Sequence, residues 1–204
     1  MVSTDLKIDP ELTDDLLYAA RHADAEFLQE TIDALVKANP DAPVYKLITA
    51  AVDSESGNTA FHMAAANGHV DILKTLLSHY PHTVKDDNTS PANYQNESGN
   101  TPLHYAAING HLDACKLFFE EWDGDLGLKN KAGKGPYTEA EGAERENIVD
   151  WGLTVWAGIA EFGDDGDDQE EEAGSSKVDE QKVLDEVKEA VESLKIEEEK
   201  KSDS

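Results

Sequence analysis

The chain has 204 residues, 39% of them hydrophobic and 30% charged, and a formal net charge of -27. That length suits one domain with a core and an appendage rather than two full domains. So negative a surface repels nucleic-acid phosphates and anionic lipid head groups and draws in basic proteins, so direct nucleic-acid or membrane binding is not expected and a basic protein partner is.

Residues 1–12 read as an N-terminal arm, with Asp5 and Asp9 but no apolar run resembling a signal peptide. A repeat domain is expected over 13–162. Its first unit, Leu16 to Ile32, reads LLYAARHADAEFLQETI and keeps a pair of small residues, Ala19 and Ala20. After a spacer from Val36 to Ser56, in which Val44 to Val52 could extend a helix, Gly57 to Leu77 reads GNTAFHMAAANGHVDILKTLL. The segment from Gly99 to Phe119, GNTPLHYAAINGHLDACKLFF, superimposes on it without a gap at an offset of 42. The two share Gly57 with Gly99, Thr59 with Thr101, His62 with His104, the paired alanines, and Gly68-His69 with Gly110-His111. Between them, the proline-bearing polar stretch near 81–95 predicts a projecting insertion loop.

Local chemistry makes each copy a helix pair. Thr101 can cap a helix that has Pro102 at its first position, where a missing N–H is not felt. Ala106 and Ala107 let neighbouring helices approach, and Gly110 permits the turn into a second helix, whose apolar face is Leu112, Cys115, Leu117, Phe118 and Phe119. A fourth, degenerate copy spans Asn130 to Leu153, keeping Gly133, Pro136 and Ala140 at an offset of 34, with Ile148, Val149, Trp151, Leu153 and Trp156 expected to close the core.

Beyond the repeats the composition changes. Residues 163–177 form an acidic linker too poor in apolar groups to fold. Residues 178–204 form an acidic tail in which Leu184, Val187, Val191 and Leu194 outline a short amphipathic helix. From Glu161 to the end there are 18 acidic and 6 basic residues, and the rest of the chain has 26 and 11. Net charges of -12 and -15 follow, so both parts are acidic.

The element G-N-T-P-L-H-Y-A-A-I-N-G-H from Gly99 to His111 resembles the signature of the ankyrin repeat. The resemblance implies an all-α solenoid of about four repeats, each a hairpin turn and two antiparallel helices, with degenerate terminal caps, and the composition adds a disordered acidic tail. It also implies a binding surface made of hairpin tips and the exposed side of the inner helices. Carried onto this chain, the tips are Asp53, Glu55, Ser56 and Asn58, then Asn96, Glu97, Ser98 and Asn100. The inner-helix candidates are Tyr18, Arg21 and His22, then Met63, Ala66 and Asn67, then Tyr105, Ile108 and Asn109.

Other chemistry is weakly represented. His62, His104, His69 and His111 recur with the repeat and read as hydrogen-bonding struts between neighbouring units rather than metal ligands. His79 and His82 lack a nearby carboxylate or cysteine. The single cysteine, Cys115, can close no internal disulfide and reads as an inert packing residue, so a reducing compartment is expected. No nucleophile elbow, phosphate loop, dinucleotide fingerprint or zinc-protease motif occurs, so no catalytic residue, metal or cofactor is expected.

The layout as a whole, with an insertion between the second and third repeats and an acidic C-terminal extension, resembles the fungal ankyrin-repeat chaperones of the small-subunit KH-domain ribosomal protein, number three in its series. That resemblance implies a monomer that binds its basic client one-to-one in the cytoplasm and nucleus and releases it into pre-ribosomes. An adaptor or stoichiometric inhibitor of a signalling enzyme, and a histone chaperone, are the alternative classes.

Overall fold

In the computed structural model, residues 6, 8–81 and 90–162 are described, with no account of the side chains of 156–162. Helix α1 (Pro10–His22) starts ahead of Thr13, because Asp9 Oδ1 accepts the Glu11 N–H at 3.0 Å and Pro10 takes the first helical position. It ends at Ala23, which adopts a left-handed conformation with φ 57°. The Asp24 carboxylate then caps α2 (Ala25–Ala38) by accepting from the Phe27 N–H at 3.0 Å. The spacer's helical stretch is a separate element, α3 (Val44–Ala50), with Leu47 and Ile48 buried.

The internal copies fold alike. Helices α4 (Ala60–Ala66) and α6 (Pro102–Asn109) each open with a capping box in which histidine takes the place usually held by Glu or Gln. Each is followed by an antiparallel outer helix: α5 (Val70–Ser78), and α7 (Leu112–Lys116), which runs on as a π-helical turn over Leu117–Glu121. The last pair is α8 (Pro136–Gly142) and α9 (Glu146–Phe162). The inner helices α1, α4, α6 and α8 pack in that order, each on the next.

Alanines make this stacking possible. Ala19, Ala20, Ala64, Ala65, Ala106, Ala107 and Ala140 are all fully buried between helices, and larger side chains such as Leu28, Leu73, Leu76 and Phe118 fill the layer behind them. Gly68 must be glycine twice over: its φ is +70°, and an added Cβ would lie 2.5 Å from the His111 ring. Tyr80 joins the layers, with Tyr45 and Phe61 at ring-centroid distances of 5.5 Å and Trp122 at 6.2 Å.

Two expectations need correction. The insertion does not project along its whole length: residues 82–89 lie outside the described set, but Pro91–Asn93 form a 3-10 turn with Pro91 and Ala92 buried. Ser90 Oγ donates to the Trp122 carbonyl at 2.8 Å and Asn93 Nδ2 to that of Asp123 at 3.0 Å, so polar side chains clip the segment onto the end of the third repeat. In the last repeat Ile148 is buried, but Leu153 is 37% exposed and does not close the core. The register of α9 turns it outward while Trp151 packs on Phe119 at 5.6 Å. The expected linker at 163–177 and tail helix in 178–204 lie outside the described residues, as does the side chain of Trp156.

Gly152 sits inside α9, where alanine would ordinarily add helix stability. Here an added Cβ would meet the Tyr137 ring at 2.5 Å. Gly152→Ala is therefore expected to lower stability, by about 1 kcal/mol once the ring has shifted. A rise in melting temperature would show that Tyr137 yields freely.

Candidate protein-binding face

Four histidines stitch the repeats together. The Thr59 N–H donates to His62 Nδ1 at 3.1 Å, which leaves that nitrogen without a proton and places the ring hydrogen on Nε2. Nε2 then donates to the Asn100 carbonyl of the next repeat at 3.0 Å. His104 repeats the arrangement, with the Thr101 N–H at 3.1 Å and the Lys134 carbonyl at 3.1 Å. Working in the opposite direction, His69 Nε2 donates to the Arg21 carbonyl at 3.0 Å and His111 Nε2 to that of Ala66 at 3.1 Å. All four are struts between neighbouring units. Burial holds His62 well below the usual histidine range, at about 4, despite the bond to Asn100, and burial lowers His104 in the same direction.

The hairpin tips form a second seam. The Glu97 N–H donates to the Ser56 carbonyl and the Lys131 N–H to the Ser98 carbonyl, both at 2.9 Å. Side-chain amides run beside them: Asn96 Nδ2 donates to Asn58 Oδ1 at 2.7 Å, and Asn130 Nδ2 to Asn100 Oδ1 at 2.8 Å. Within the first tip, Asp53 Oδ1 accepts from Ser56 Oγ at 2.6 Å and from the Ser56 N–H at 2.7 Å. Those two bonds, ahead of smaller contributions from the Glu55 N–H and Arg21, outweigh burial and hold the carboxyl below its ordinary range.

The expected site residues therefore divide into two groups. Glu55, Glu97 and Ser98 are exposed on the tips, and Tyr18, Arg21, His22, Asn67 and Asn109 are exposed on the inner helices. Ala66, Ile108 and Tyr105 are half-buried beside them. Tyr18, 54% exposed, stacks on His22 at 4.1 Å, and His22 Nδ1 donates to the Tyr18 carbonyl at 2.9 Å. This gives a rigid aromatic ledge on the first repeat.

The others serve the scaffold. Met63 is only 8% exposed and does not line the face as expected, since Arg21 Nη2 lies over its sulfur at 3.2 Å. Asn58 and Asn100 give their side-chain carbonyls to the ladder, buried Asn96 spends its whole amide there, and the Ser56 hydroxyl is committed to Asp53. Asn109, though exposed, also donates to the Ala66 carbonyl at 2.9 Å.

Sequence reasoning missed the fourth repeat's share of this face. Glu139 stands 34 residues after Tyr105, at the equivalent place on α8, and it accepts from Asn130 at 2.8 Å. The tip at 129–134 supplies Lys129, Lys131 and Lys134. Reading that unit only as a cap hid both, although the 34-residue offset already pointed to them. The candidate positions on α1, α4 and α6 carry no carboxylate of their own, and the carboxylates added to them come from the tips and from Glu139, with exposed Asp14 one turn before Tyr18 on α1. Cys115 is fully buried, and burial pushes its thiol up to about 12.

The model of the ankyrin repeat family matches three copies across residues 16–130. The chain is similar to the ankyrin repeat-containing protein YAR1 of Saccharomyces cerevisiae, 36% identical over 199 residues that cover 95% of this chain and 94% of that protein. It is also 36% identical to an ankyrin repeat-containing protein of Schizosaccharomyces pombe, over 79% of this chain and 97% of the other. Among solved structures, a chain in the crystal structure of the yeast ribosomal protein Rps3 in complex with its chaperone Yar1 matches with a TM-score of 0.63 and 30% identity, over 74% of this chain and 97% of that one. The recurring capping boxes, the histidine struts and these matches agree: the chain belongs to the ankyrin-repeat family.

Proposed function

We propose that this protein is a dedicated chaperone that binds a newly made, basic small-subunit ribosomal protein, the counterpart of Rps3, shields it from aggregation and delivers it for ribosome assembly. The observation that carries this reading is the relationship to YAR1 along nearly the whole chain, acidic extension included. The physical chemistry supports it. A ribosomal protein is built to meet RNA, and without RNA its positive charges are unpaired. Glu55 and Glu97 offer exposed carboxylates in a row, on a chain whose residues 1–160 carry a net charge of -15. Such a surface holds the client until RNA outcompetes it.

The protein acts by equilibrium binding, not catalysis. His62 and His104 have both ring nitrogens engaged, and a thiol titrating at about 12 is no nucleophile at neutral pH. It is monomeric, binds one client, and works in the cytoplasm and nucleus, along the path of that client.

The test mixes the purified ribosomal protein with equimolar chain and follows light scattering on dilution. The wild-type chain should suppress aggregation, and Glu55→Lys with Glu97→Lys should weaken binding about tenfold at low salt, with the difference shrinking as salt rises. Full protection by the double variant would place the interface on another face. No protection by the wild type would reject the function.

A further inference from the structure

The hairpin tips carry their charges in a fixed order. Because the Glu97 and Lys131 N–H groups make the same bond to the preceding tip, these two residues hold equivalent places on adjacent turns. The first tip is anionic through Asp53 and Glu55 and the second through Glu97. The third, residues 129–134, reads Lys-Asn-Lys-Ala-Gly-Lys and has no carboxylate. Lys129, Lys131 and Lys134 are all exposed. Lys134 is held by Glu139 at 3.6 Å, while Lys129 and Lys131 have no carboxylate within ion-pair distance among the described residues.

This turn reverses the sign of the domain around it. Three of the 11 basic residues that face 26 acidic ones outside the tail sit within six consecutive positions. A surface that only neutralised a basic client would gain from carboxylates on every tip. Lysines in the same row repel such a client and cost it both affinity and association rate. Nucleic acid is a poor occupant as well, since its phosphates would have to lie alongside Glu97 and Glu55.

We infer that the tip row is a directional clamp, in which Glu55 and Glu97 take a basic stretch of the client and Lys129 and Lys131 take an acidic stretch of the same client. This rests on the chaperone reading and adds to it the client's orientation along the stack. Neighbouring inner helices pack about 8–10 Å apart, so the client's charge should change sign over about 10–20 Å. That is about two to four turns of a helix laid along the row.

The experiment measures affinity of the full-length chain for the purified Rps3-type ribosomal protein at low and at physiological salt. Lys129→Glu with Lys131→Glu is compared with Lys37→Glu and Lys46→Glu, exposed lysines of α2 and α3, which change the net charge equally. The tip pair should weaken binding about tenfold at low salt, and the α2/α3 pair should leave it unchanged or tighten it. Tighter or unchanged binding by the tip variant overturns the inference. So does single-stranded RNA binding by the wild type that the tip variant loses. If the wild type does not bind the ribosomal protein at all, the chaperone reading falls, and the inference with it. Thermal melts should show every variant folded, with a small loss only for Lys37→Glu, which reverses a charge in the last turn of α2.

Discussion

His62→Ala is expected to destabilise the repeat stack by about 4 kcal/mol, read as a drop in the urea midpoint at neutral pH. Two groups lose their partners: the buried Thr59 N–H at the start of α4 and the half-buried Asn100 carbonyl of the next repeat. An unsatisfied buried polar group costs about 1–3 kcal/mol, and the vacated imidazole leaves a cavity besides. His62→Asn separates these contributions, because an asparagine at this position is long enough to serve the Thr59 N–H but too short to reach Asn100. It should recover less than half of the loss. His111→Ala supplies the contrast: the ring is half-buried and its bond to the Ala66 carbonyl lies nearer solvent, so about 1 kcal/mol is expected. Equal losses at His62 and His111 would mean that burial does not set the worth of these struts.

Acidification should remove much of the same stabilisation. An unfolded histidine titrates near 6.5, whereas His62 in the native chain is held at about 4 by burial. Between those values the unfolded chain binds a proton that the folded chain refuses. Stability contributed by neutral His62 is therefore complete above about pH 6.5 and is lost progressively as the pH falls towards 4. At pH 5 the loss from His62 alone is about 2 kcal/mol, and His104, shifted in the same direction, adds to it. Protonation at Nδ1 is also incompatible with accepting the Thr59 N–H, so the capping box opens as the ring charges. The control is the difference in stability between wild type and His62→Ala, measured at pH 7.5 and again at pH 5. It should narrow by about 2 kcal/mol, whereas general changes in surface charge affect both proteins alike. A constant difference would refute a histidine origin for the acid sensitivity.

Both effects grow from residues whose pairing is legible in the amino-acid sequence. The T-x-x-H spacing at Thr59–His62 and Thr101–His104 is a local matter: a threonine and a histidine three residues apart on the first turn of a helix meet whatever surrounds them. The paired alanines, the glycines after each inner helix and the apolar outer faces are equally local, so spacing alone reveals the repeat architecture. The directions of the strut bonds, forward from His62 and His104 and backward from His69 and His111, are not local. They depend on which carbonyl of the adjacent repeat lies opposite each ring.

The binding face divides in the same way. Exposure of Glu55, Glu97 and Tyr18 follows from repeat register. Met63 has the register of Tyr105 yet lies buried, because Arg21 of the preceding repeat covers it. Asn58 and Asn100 look like free polar tips in the sequence, but their side-chain carbonyls are taken by the next repeat's asparagine. Gly152 reads as a weak point in a helix until the Tyr137 ring is found where its Cβ would be.

Short-range spacing and net charge need no tertiary coordinates, so the amino-acid sequence is enough to make this chain a stack of helix pairs, acidic in net charge and suited to a protein partner. The change of sign from Glu97 to Lys131 is already written in the 34-residue offset, whereas which polar side chains are left for that partner emerges only in the folded stack. That property belongs to contacts between repeats 30 to 48 residues apart, where one unit's side chain satisfies or covers the next.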